Sequence, residues 1–179
     1  FPYTTLFRSV AGTVQSNVAT SFVGSGLSID AAGMTFGSAV FTGGASGTLT
    51  SNLNVAGDVT FSDIASLAGA ELRVGGNLLG TDTSVAGTSA IRLNGNGNQT
   101  INVADTTDNT IIIDKVSGTA TLGADLTLNG PSQNLSLVQG TLDSANRTIT
   151  TASGYSVIVN GATLTGGGTI NSNLRSEER

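Results

Sequence analysis

Short β-branched runs return about every 21 residues along this 179-residue chain, each closed by a Gly or Asn turn. Leu122, Leu142 and Leu164 are 20 and 22 apart, and Leu128, Ile149 and Ile170 are 21 and 21 apart. Leu135 and Val157 follow Ile113 at steps of 22 and 22. Three apolar lanes on one period predict a stack of coils, each giving one strand to each of three faces. The expected fold is all-β: a right-handed parallel β-helix, or three-sided β-solenoid, with about 21 residues per coil.

Local pattern agrees. Leu53-Asn54-Val55, Leu126-Thr127-Leu128, Leu135-Ser136-Leu137 and Thr148-Ile149-Thr150 alternate apolar and polar residues, which places one kind of side chain on each face of a strand. Ile111-Ile112-Ile113 and Val157-Ile158-Val159 are apolar on both faces and predict a covered or partly apolar outer surface. Asp63 to Leu72 is the best helical candidate, although Gly69 interrupts it. The stretch from Gly80 to Ser89 lacks alternation and predicts a loop. From residues 10 to 79 the period is looser: Leu53 and Val55 precede Leu72 and Val74 by 19, and Phe41 precedes Phe61 by 20. From Asn94 onward it is most regular.

Asn-Gly at 94–95, 96–97, 129–130 and 160–161 supplies tight corners. Asn-Gly is also a hairpin signal, so an antiparallel β-sandwich is the alternative fold. The three concurrent lanes favour the solenoid. So do the absence of Trp and an aromatic content of 4%, because a sandwich core of this size uses more large rings.

The two ends read differently from the middle. Phe1 to Ser9 resembles the translation of a sequencing-library adapter, and Arg175 to Arg179 the same adapter read from the opposite strand. Leu6-Phe7-Arg8-Ser9 can be written CTC TTC CGA TCT, whose reverse complement AGA TCG GAA GAG encodes Arg-Ser-Glu-Glu, the residues at 175–178. Residues 1–9 and 175–179 are therefore expected to be adapter-derived artefacts. Residues 10–174 are expected to be a single β-solenoid fragment, about eight coils and about 38 Å long, with further coils of a parent protein at both ends.

Charge narrows the partners. The chain carries 7 basic and 12 acidic residues, net −5, and without the two terminal segments four basic and ten acidic remain, net −6, with one Lys. Such a surface repels phosphate backbones and anionic lipid, so neither nucleic acid nor membrane insertion is expected. Cys and His are absent, which removes thiolate chemistry, disulfides, a Ser-His-Asp triad and His or Cys metal sites.

Carboxylates are what remains. Asp105, Asp108 and Asp114 are close in sequence, with Asp125 a partial coil further, and Arg92 or Lys115 could neutralise a uronate in a carbohydrate-cleaving site. The favoured account is plainer: Asp105 and Asp108 cap turn amides, and Lys115 is solvated. Calcium would need a denser oxygen pattern than Asp105-x-x-Asp108. Thr48-x-Thr50, Thr119-x-Thr121, Thr148-x-Thr150 and Thr163-x-Thr165 suggest a flat Thr face, but neighbouring members are 71, 29 and 15 apart and are not expected to line up. The sequons at Asn98, Asn134 and Asn146 are expected by chance in an Asn/Ser/Thr-rich chain. No catalytic, cofactor-binding or metal residue is assigned, and no cofactor is expected.

Gly95-Asn96-Gly97-Asn98-Gln99-Thr100-Ile101, Gly118-Thr119-Ala120-Thr121-Leu122, Leu126-Thr127-Leu128-Asn129-Gly130, Gly140-Thr141-Leu142-Asp143 and Leu164-Thr165-Gly166-Gly167-Gly168-Thr169-Ile170-Asn171 resemble the repeats of large bacterial surface proteins. These are autotransporter passenger domains and filamentous haemagglutinin-like adhesins. The resemblance covers Asn94 to Leu174 well and residues 10–94 weakly. It implies export to the outer surface of a bacterium, and a stalk or passenger role in adhesion to a glycan or protein receptor without catalysis. The alternative is a fragment of a β-helical polysaccharide lyase or glycosidase.

Overall fold

The computed structural model describes residues 6–7, 19–63, 65–80, 85–103, 109–128 and 134–176, with the backbone alone for 6–7, 85–86 and 173–176. Among them there is no helix, and parallel strands stack as a β-solenoid of about 7 turns with about 20 residues per turn. At about 4.8 Å per coil the stack is roughly 34 Å long. The antiparallel sandwich is excluded for the described residues, since every pairing runs parallel.

Each coil visits three faces in turn. The first face begins with Thr20–Val23, Ala39–Thr42, Val59–Phe61, Leu78–Gly80 and Gln99–Asn102. The second begins with Thr35–Phe36, Leu53–Val55, Leu72–Val74 and Ile91–Leu93. The third is built by Leu27–Ile29, Ser46–Leu49, Ala65–Gly69 and Val85–Gly87, then by Leu126–Leu128, Ile149–Thr151 and Ile170–Asn171. Further on, Ile111–Leu122 and Leu135–Asp143 run unbroken round the corner from the second face to the first, which joins those two faces into one sheet.

Strand after strand is buried, half-buried, buried, so one side chain in two points into the rod. Phe22, Phe41 and Phe61 occupy equivalent inward positions in three successive coils. Their rings stack with centroids 4.9 and 5.1 Å apart and planes 16° and 18° from parallel, while Phe36 meets Phe22 edge-on at 6.0 Å. The in-register ladder lets a chain poor in aromatics fill one end of the rod with few residues.

Several sequence expectations need correction. The coils before Asn94 are as regular as those after it: Leu53, Leu72 and Ile91 pair at steps of 19, and Leu27, Gly47 and Leu67 at steps of 20. They looked loose because their period is shorter than 21. The three lanes were each started two residues late. Ala120, not Leu122, pairs with Leu142; Leu126, not Leu128, pairs with Ile149; Ile111, not Ile113, pairs with Leu135. The later members, Leu142 with Leu164, Ile149 with Ile170 and Leu135 with Val157, pair as expected.

The helical candidate at Asp63 to Leu72 contains the strand Ala65–Gly69, because Ala65 and Leu67 alternate inward and Gly69, at φ 95°, turns the chain. Within the expected loop Gly80 to Ser89, Val85–Gly87 is a strand paired with residues 65–67, and 81–84 lie outside the described residues. Ile112 and Ile158 face outward, half-buried, on either side of Ser136, so this column of the second face is partly apolar as expected. Leu6–Phe7 and Asn173–Ser176 each pair with a neighbouring strand. An open strand edge accepts any extended segment, so this pairing is independent of the segments' origin.

Candidate functional site

Polar side chains at the corners have a task that recurs from coil to coil. Asn52 accepts from the Glu71 amide at 3.1 Å, Asp58 from Asn77 at 2.6 Å, Asn77 from Thr100 at 2.8 Å and Asn98 from Thr119 at 3.1 Å. Asp125 accepts from Thr148 and Asn134 from Ser156, both at 2.9 Å. Each oxygen satisfies a backbone N–H of the following coil, a bond worth about 1 kcal/mol net and costly to leave unmade. Asp125 is thus a turn cap near the third face. Asp105 and Asp108 lie outside the described residues, and among the described residues no three acidic side chains form a group able to hold a metal ion.

Asp114 belongs instead to a charged ladder on the second face. The outward residues Thr35, Asn54, Arg73 and Arg92 stack in successive coils. Glu71 binds Arg92 at 2.7 Å through Nη2 and 3.2 Å through Nε, and Arg73 Nε at 3.0 Å. Arg92 Nη1 reaches Asp114 at 2.7 Å, and Gln139 donates to the other Asp114 oxygen at 2.7 Å. The hydrogen bond from Arg92 holds the Glu71 carboxyl below its usual value, against partial burial and with lesser help from Arg73. Glu71 in turn, ahead of Asp114, raises the Arg92 guanidinium, with burial opposing. Arg92 is therefore committed to Glu71 and Asp114, and does not wait for a uronate. Glu71 and Arg73 were not singled out from sequence. The signal was there: Arg73 and Arg92 are the middle residues of Leu-Arg-Val and Ile-Arg-Leu, 19 apart.

Lys115 is not solvated. It is 1% exposed, inside the rod, where its Nζ donates to Gly95 O at 2.6 Å, Gly97 O at 2.9 Å and Gln99 Oε1 at 2.6 Å. Gln99, also 1% exposed, passes its own donors to Val74 O and Gly76 O and accepts from Gly95 N at 3.0 Å. Burial pushes the Lys115 ammonium below the ordinary lysine value. The three oxygens around it favour the charged form and oppose that push. No substrate group reaches this amine, so it too is removed from the uronate-binding candidates.

The Thr pairs are not all scattered. Thr119 pairs with Thr141 and Thr141 with Thr163, while Thr121 pairs with Asp143 and Asp143 with Thr165. Thr119-x-Thr121 and Thr163-x-Thr165 therefore share the first face two coils apart, contrary to expectation, because their separation of 44 is two coils of 22. Thr48 and Thr150 sit on the third face. Among the described residues, a groove of about 330 Å³ is lined by Thr151, Tyr155, Asn171 and their neighbours, and another of about 180 Å³ lies beside Arg73.

In comparisons with protein-family models, curated proteins and solved structures, the chain matches none.

Proposed function

We propose that this chain is a stalk or passenger segment of a secreted bacterial surface adhesin, extracellular or on the bacterial outer surface, without catalytic activity, whose partner is a glycan or protein receptor. What supports the reading most directly is the use of the polar side chains: Asp58, Asp125, Asn52, Asn77, Asn98 and Asn134 each tie one coil to the next. A stack secured at repeated corners suits an element that holds a binding surface at a distance. The repeat motifs from Gly95 to Asn171 resemble passenger-domain repeats and point the same way. Incubation with a polysaccharide panel, scored for both binding and product release, tests the proposal. Binding without release is expected, and release of shortened or unsaturated sugars ends it in favour of a β-helical lyase or glycosidase.

A further inference from the structure

The two arginines of the second face have unlike surroundings. Arg92 has each of its three guanidinium nitrogens bonded, Nε and Nη2 to Glu71 and Nη1 to Asp114. Arg73 touches Glu71 only through Nε, at an oxygen already shared with Arg92, and its side chain remains 38% exposed. Its two terminal nitrogens, with four N–H donors, have no carboxylate partner among the described residues. Arg73 lines the groove of about 180 Å³ together with Thr35, Asn54, Asn94 and Gly75. Among the described residues, no acidic one lines it.

We propose that this groove binds one carboxylate-bearing sugar unit of an extended acidic glycan, with Arg73 as its anchoring cation. A guanidinium with both terminal nitrogens open presents a planar fork that fits a carboxylate through two parallel bonds. Amide and hydroxyl groups of Asn54, Asn94 and Thr35 both donate and accept, which is what sugar hydroxyls require on either side of such a carboxylate. The groove is smaller than the roughly 300–1,000 Å³ that encloses a whole small ligand. It suits one residue of a chain lying along the face. The inference deepens the adhesin reading and rests on it.

Calorimetric titration with a short oligogalacturonide, an uncharged oligogalactan of equal length and poly-L-glutamate tests the site in the unmodified chain, Arg73→Gln and Arg73→Lys. Far-ultraviolet dichroism and melting confirm that the variants fold. The oligogalacturonide is expected to bind the unmodified chain, to weaken at least tenfold in Arg73→Gln, and to weaken in Arg73→Lys, which keeps the charge but loses the fork. Equal binding by all three proteins overturns the site. So does poly-L-glutamate binding as well as the oligogalacturonide, which would mean that a bare carboxylate is recognised rather than a sugar. Binding of the uncharged oligogalactan alone, or of no saccharide on a broad panel, overturns the acidic-sugar site and leaves the adhesin reading standing with another glycan or a protein receptor, whereas release of shortened or unsaturated sugars ends the adhesin reading itself.

Discussion

Lys115 Nζ lies 2.6 Å from Gln99 Oε1 inside the rod, and the ammonium is held by three oxygens with no carboxylate among its bonds. A buried charge without a counter-ion survives only when its donors are all used. Lys115→Met keeps most of the volume and abolishes the desolvation cost, but deprives Gly95 O, Gly97 O and Gln99 Oε1 of their shared donor. At about 1–3 kcal/mol for each buried acceptor left short, the oxygens outweigh the relief. A net loss of about 2–4 kcal/mol is expected, measured as a shift in the urea unfolding midpoint.

The same group gives a pH dependence of unusual sign. The proton on Lys115 is held less tightly in the folded rod than in the unfolded chain, so unfolding takes up protons between the two pKa values. The contribution of this group to stability therefore rises as pH climbs through the lowered folded value. It levels off near the unfolded lysine value of about 10.4. Melting temperatures from pH 7 to 11 should show the unmodified chain gaining on Lys115→Met as pH increases. A difference that shrinks with pH would mean the three oxygens raise the pKa more than burial lowers it.

Phe41 is wholly buried between Phe22 and Phe61, stacked on both. Truncation to Ala removes a large apolar volume from a rod that has no wide core to collapse, and is expected to cost about 3–5 kcal/mol. Phe41→Leu keeps most of the volume and loses the two ring contacts, at about 0.5–1.5 kcal/mol each. Chemical denaturation of both variants checks the order. Equal losses would show that ring stacking contributes nothing beyond size.

Gly87 combines two constraints. Its φ is 115°, and a Cβ there would collide with the carbonyl oxygen of Leu67 in the preceding coil. Gly87→Ala is expected to destabilise the rod by about 1–3 kcal/mol from backbone strain, more if the coils must part. Hydrogen exchange should locate the damage at residues 65–67, the strand to which Val85–Gly87 pairs.

Much of this architecture was legible in the sequence, and what was missed has a definite physical cause. Inward and outward positions alternate with a period of two, so a lane shifted by two residues still places an apolar residue inside. Ile111 and Ile113, Leu126 and Leu128, and Ala120 and Leu122 all point inward, and the pattern cannot say which of each pair meets the next coil. The coil from Ile111 to Leu135 takes 24 residues, which no average period reveals. The same alternation did announce Lys115, which shares parity with Ile111 and Ile113. The usual preference of lysine for solvent points the other way, and the three oxygens at this corner outweigh it. Pairing across coils also decided the ladder of Glu71, Arg73, Arg92 and Asp114, since its members are up to 43 residues apart in sequence.

Glu71 offers the clearest acid-sensitive link in that ladder. Its carboxyl is held below the usual value of 4.5, first by the hydrogen bond from Arg92 and then by that from Arg73. Because the folded state releases this proton more readily than the unfolded chain, the stabilisation is complete above about pH 4.5. It is lost as pH falls through the lower folded value. The pairs are partly exposed, so Glu71→Gln should cost only about 0.2–1 kcal/mol for each arginine contact at neutral pH, and less in high salt. The gap between Glu71→Gln and the unmodified chain should narrow as pH falls below about 4.5 and through the lower folded value. Arg92, raised further by the same contact, stays protonated throughout and adds no slope of its own. Denaturant midpoints for both proteins at falling pH carry the test, and a gap that does not narrow on acidification would show that Glu71 acts by packing rather than by charge.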